Sequence, residues 1–176
     1  MASTPVRHDR ATVILHWLLA AAVTSSLVLG FVASRSVGPA ERSGLLLLHI
    51  DLGIATLVIS SIRAFWWWRG KRELESASPE GWQRATQKVV YGLLTLLPLG
   101  LAASGTGMLM TSGIAQVATG GLVEGPHLGH LIAAFLMIAL AGVHIGAVMY
   151  HQLKLREPVV ARMVLDRSAA KPRSTA

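Results

Sequence analysis

A chain of 176 residues that is 52% hydrophobic and only 14% charged, with a mean hydropathy of +0.53, has long uncharged runs between its clusters of charge. Soluble domains carry roughly 25% charged residues, so this composition excludes an ordinary soluble domain and points to a polytopic membrane protein in one compact bundle. The lack of cysteine excludes disulfides, thiolate zinc sites, iron–sulfur clusters and covalent c-type haem attachment, and the net charge of +7 flanks apolar segments, where topology and lipid headgroups explain it better than nucleic acid does.

The first apolar run is predicted from about Ala11 to Ser34, after Arg7-His8-Asp9-Arg10. It reaches spanning length and contains His16, so it reads as a span and not as a cleavable signal peptide. The second span runs from about Gly44 to Trp68. It ends in Phe65-Trp66-Trp67-Trp68, an aromatic interface belt followed by Arg69, Lys71 and Arg72. The third runs from about Val89 to Met110, with Pro98 near its middle. A Gly-rich loop, Thr111 to Pro126, has Glu124 as its only charge and is expected to pack over the outer mouth of the bundle. The fourth span runs from about His127 to Tyr150. Residues 1–155 therefore read as one four-helix transmembrane domain. Residues 156–176 read as a basic cytoplasmic tail, with a short surface helix expected around Val159 to Leu165.

The loops set the expected orientation. Lys and Arg gather at the N-terminus, in the second loop and in the tail; the first loop holds only Arg35 and Arg42, and the third holds none. The positive-inside rule then places both termini and the second loop in the cytoplasm.

Four histidines lie in or at the lip of these spans, and an intramembrane ionisable residue is a functional candidate by default. With alternating span directions, His49 and His130 fall at the outer end and His16 and His144 at the inner end. His130 and His144 are fourteen residues apart, close to four helical turns or ~21 Å, and so project from nearly the same face. Two imidazoles on facing helices at equal depth are what a six-coordinate haem b needs, one axial nitrogen from each side. Zinc wants three or four ligands converging on one point, which two separated pairs do not supply. Gly53, one turn after His49, gives clearance for a flat macrocycle, and Gly142 and Gly146 flank His144; tight helix packing explains these glycines equally well. Arg63, fourteen residues after His49, either forks onto inner haem propionates or snorkels to the headgroups. His151, seven residues after His144, is a proton-handling or quinone-contacting candidate, with a solvated interfacial residue as the alternative. His127, one turn before His130, competes with it for outer ligation. His8 reads as solvated.

The stretches Ile14-Leu15-His16-Trp17-Leu18 and His49-Ile50-Asp51-Leu52-Gly53 with Arg63, then Leu97-Pro98-Leu99-Gly100 and Gly107-Met108-Leu109-Met110, and finally His130 with His144 and His151, resemble the bacterial cytochrome b561 family over roughly residues 7 to 155. The resemblance implies an all-α, four-helix transmembrane bundle enclosing two b-type haems held by His16, His49, His130 and His144, and electron exchange with the membrane quinone pool. Some such proteins are superoxide oxidases, which implies superoxide as a periplasmic donor, ubiquinone as acceptor, and Arg35 or Arg42 as the outer cations drawing an anion. Where family members often carry a His near the start of the third helix, this chain reads Ala85-Thr86-Gln87-Lys88. Two other functions fit the residues: an electron-transfer subunit of a membrane dehydrogenase or hydrogenase, and a non-haem transporter whose histidines relay protons.

Overall fold

The protein is described by a computed structural model covering residues 10–36, 38–69, 82–119, 127–156 and 159–164. The described residues form five α-helices: α1 (Arg10–Arg35), α2 (Pro39–Arg69), α3 (Trp82–Ser112), α4 (Ile114–Ala118) and α5 (His127–Leu153). A 3₁₀ turn, Val160–Met163, follows. All but α4 are long and apolar enough to cross a membrane, and no strand occurs among the described residues. The expected four-span, all-helical class is therefore the observed one.

Two helices run further than apolar patterning predicts. α2 starts at Pro39 rather than Gly44, and α3 at Trp82 rather than Val89. Hydropathy marks where the hydrocarbon begins, whereas a helix continues through the headgroups wherever its residues allow. At ~1.5 Å per residue, 31 residues span ~46 Å, near the full bilayer thickness of roughly 40–45 Å. Pro39 suits the first helical position, where its missing N–H is no loss. Pro98, inside α3, is fully buried, where neighbouring helices shield the interrupted ladder.

The outside of the bundle is apolar: Leu48, Val58, Leu96, Leu136 and Ile145 are all exposed, as lipid-facing residues must be. The core is narrow, with Leu19, Val23 and Met137 at its centre and Ile59, Leu94 and Leu97 packed on them. Backbone packing follows chain order, α1 on α2, α2 on α3 and α3 on α5. Helices α1 and α5 meet through that core cluster and through ring contacts, Phe31 on Phe135 at 5.5 Å and His16 on His144 at 6.3 Å. The α1–α2 and α3–α5 connections lie at one end of the bundle, labelled outer after the loop charges.

The third loop does cover that end in its described part. Gly113, with φ 78, turns the chain out of α3 in a conformation suited to glycine, and its N–H donates to the Leu109 carbonyl at 2.8 Å. The short α4 then packs on α2 and α3 and buries Val117. At the other end, the surface helix expected around Val159 to Leu165 is a four-residue 3₁₀ turn. Arg156, with φ 56, lies in the turn that precedes it. The indole N–H of Trp17 donates to the Met163 carbonyl at 2.8 Å, which ties this turn to α1. The N-terminal Arg7, the second-loop Lys71 and Arg72, Glu124 and the tail from Leu165 onward lie outside the described residues.

Two histidine pairs as the candidate functional site

The four histidines stand as two facing pairs. His49 on α2 and His130 on α5 have ring centres 6.0 Å apart; His16 on α1 and His144 on α5 have ring centres 6.3 Å apart. The fourteen-residue spacing on α5 separates the levels by ~21 Å. Among the described residues, no group of three His, Asp or Glu side chains is placed to hold a metal ion, so a zinc-type site finds no support there.

The outer pair draws on all four long helices. Ser26 on α1 faces His49: its carbonyl oxygen lies 2.8 Å from Nδ1 and its hydroxyl 3.1 Å. A carbonyl only accepts, so Nδ1 carries the proton and donates. Ser104 on α3 faces His130: its hydroxyl donates to the Leu101 carbonyl at 2.9 Å and lies 2.8 Å from His130 Nδ1. A hydroxyl has one proton; with that proton given to Leu101, the oxygen accepts from Nδ1. Both outer rings are thus Nδ1–H tautomers whose Nε2 lone pair is left for a metal. Two glycines make room for the rings. A Cβ at Gly30 would sit 3.0 Å from His49 Cε1, and one at Gly105 would sit 3.4 Å from His130 Cε1.

Both rings line a cavity of about 500 Å³, within the roughly 300–1,000 Å³ typical of cofactor sites. It is walled mainly by apolar side chains such as Leu27, Ile50 and Leu101, and also by Gly53, Arg42 and His127. A Cβ at Gly53 would meet nothing within 4 Å, so its face of the cavity is open. Gly142 and Gly146 are exposed, with nothing near a Cβ, and serve neither clearance nor close packing. Arg42, His49, Thr56 and Arg63 recur every seven residues, forming one stripe along α2. The Thr56 and Ser60 hydroxyls on this helix are buried without a hydrogen-bond partner.

The inner pair is held differently. Arg63 Nη1 lies 3.3 Å from His16 Nδ1, and its guanidinium carbon lies 5.6 Å from the centre of the Tyr91 ring. The half-buried Arg63 therefore points at the inner histidines, not away to the headgroups. Since Arg only donates, His16 Nδ1 accepts, and a neutral His16 then carries its proton on Nε2. His151 is half-buried, edge-on to Tyr150 with ring centres 6.0 Å apart.

Among the sequence candidates, it is His130 whose ring faces His49, while His127 lines the cavity one turn further out. The two outer arginines part company. Arg35 is exposed and lies over Phe31 at 5.0 Å, whereas Arg42 lines the cavity. Ser26, Gly30, Ser104 and Gly105 are functional neighbours that the sequence reading missed. The signal was present in Ser26 and Gly30, one turn apart on α1, and in the adjacent Ser104-Gly105 on α3.

This arrangement fits haem b. An imidazole nitrogen sits about 1 Å from its ring centre and metal–imidazole bonds are about 2 Å, so two rings sharing one iron stand about 6 Å apart. Comparison with known proteins agrees. A family profile described as prokaryotic cytochrome b561 matches residues 7–165. A protein of Cereibacter sphaeroides named cytochrome b562 is 28% identical over 173 residues, covering 91% of this chain and 96% of that protein.

Proposed function

The chain belongs to the prokaryotic cytochrome b561 family, and from that premise we propose that it is a di-haem b cytochrome carrying electrons between an outer-side donor and the membrane quinone pool. His49 and His130 would hold the outer haem, and His16 and His144 the inner one. The observation that carries this reading is the pair of ring separations, 6.0 and 6.3 Å, both at the spacing of two imidazoles on one iron. Haem would supply one-electron chemistry, and iron held by two imidazoles would favour electron transfer over oxygen binding. The residues do the rest. Ser26 and Ser104 fix the tautomer and aim of the outer ligands, which raises their basicity. Arg63 offers its fork to carboxylates at the inner level. His151, at the inner end, is placed to pass protons to a quinone, whose reduction needs protons as well as electrons.

Superoxide is the donor implied by the resemblance, with ubiquinone as the acceptor and the bacterial inner membrane as the location. Arg42, at the cavity, is better placed than Arg35 to attract an anion there. A reduced-minus-oxidised visible spectrum, with haem measured per chain, tests the cofactor: two b-type haems are expected, and none would favour the transporter reading. Superoxide-dependent quinone reduction by the purified chain tests the donor. Its absence in a protein carrying both haems would favour the electron-transfer subunit.

A further inference from the structure

We propose that Arg42 and His127 form a carboxylate-binding rim that holds the propionates of the outer haem, a role that rests on the di-haem reading. Arg42 lies seven residues before His49 on α2, so it shares that face and stands ~10 Å further out. His127 lies one turn outside His130 on α5. Both line the cavity that contains the two outer imidazoles.

The guanidinium is the informative group. It is half-buried, its Nη2 donates to the Ser36 carbonyl at 2.7 Å, and no carboxylate among the described residues pairs with it. Arg has five N–H donors in a planar fork, and a carbonyl uses one of them. A charged fork lining an apolar cavity asks for an anion, and two carboxylates on a flat macrocycle supply one at this level. The charge is also functional: a cation beside the macrocycle favours the reduced, less positive iron. The exposed Arg35, stacked on Phe31, has no such position.

The test is redox titration of purified full-length Arg42→Gln, Arg42→Lys and His127→Gln, loaded either with haem b or with haem whose propionates are esterified. In haem b, Arg42→Gln is expected to shift the outer centre about tenfold toward the oxidised form, or about 59 mV for one electron, with the inner centre unmoved. Arg42→Lys keeps the charge and should recover most of the shift. His127→Gln should keep two haems per chain with a smaller outer shift, which an axial ligand would not allow. With esterified haem, which offers the fork no carboxylate to hold it beside the macrocycle, Arg42→Gln should shift the outer potential by much less than it does with haem b. An unchanged outer potential in Arg42→Gln, or a shift of equal size with esterified haem, overturns the rim; the latter result assigns Arg42 to a free anion. Retention of the inner haem shows that a variant has folded. A wild type with no haem would instead overturn the underlying reading.

Discussion

The outer and inner histidine pairs have the same ring spacing and different supports. Serines and carbonyls on α1 and α3 hold the outer rings with Nδ1 protonated, glycines give them room, and both rings line a cavity. Arg63 donates to a ring of the inner pair, which places the His16 proton on Nε2. Ligation of iron through that nitrogen requires His16 to move its proton to Nδ1 and Arg63 to let go. The outer rings are oriented by backbone and small side chains; the inner ring is oriented by a long cationic side chain. Equal spacing therefore does not mean equal tuning, and substitutions at the supports should separate the two centres.

The largest effect belongs to the ligands. His49→Ala or His130→Ala should remove the outer haem and leave the inner, and His16→Ala or His144→Ala should do the reverse. Haem content per chain should fall from two to one in each case. Two haems retained in all four variants would dissolve the comparison.

Next come the glycine cradles. Gly30→Val adds bulk where even a Cβ would press on the His49 ring at 3.0 Å, and overpacking of this kind costs roughly 1–3 kcal/mol. Loss or weakening of the outer haem is expected, seen as altered low-spin signals in electron paramagnetic resonance. Gly105→Ala, at 3.4 Å, should do less. Neither should disturb the inner centre.

Arg63→Gln should lower the inner potential alone, because removing a cation favours the oxidised iron. Arg63→Lys keeps the charge but loses the planar fork, so it should fall between the two. An unmoved inner potential in both variants would make the Arg63 contact with His16 merely structural.

The smallest effects are expected from Ser26→Ala and Ser104→Ala. Losing an outer-shell partner typically costs 10–100-fold in metal affinity. Here the Ser26 carbonyl remains at 2.8 Å from His49, and the Leu101 carbonyl is freed beside His130, so haem affinity should fall only toward the low end of that range. Competition for haem by a soluble acceptor protein measures it.

The four spans and the pairing of levels were legible because both follow from one-dimensional rules. Apolar runs of spanning length mark helices, and fourteen residues on α5 mark two levels of one face. The supports were not legible. Ser26 and Gly30 are ordinary residues in an apolar span until α2 is packed beside them and His49 reaches across. Gly53, Gly142 and Gly146 looked alike in the sequence because each lies close to a histidine in the chain. Only Gly53 faces the cavity, while the other two are exposed, a distinction fixed by helix rotation and not by spacing. Arg35 and Arg42 divided in the same way, since both flank the first loop and only the second turns inward.

The seam between α1 and α5 bears on how a broad, rigid disc reaches the interior at all. Backbone packing joins the other neighbouring helices, whereas α1 and α5 meet chiefly through side chains: Leu19 and Val23 with Met137, and a ring contact at each histidine level. Side chains swing where packed backbones do not, so entry from the bilayer side through this seam is the expected loading route. Cysteines at Phe31 and Phe135 would be the only ones in the chain, which makes a cross-link there unambiguous. Cross-linking before haem addition should block uptake at the outer level, and cross-linking afterwards should leave the loaded protein intact. Full uptake into the cross-linked, empty chain would place the route elsewhere.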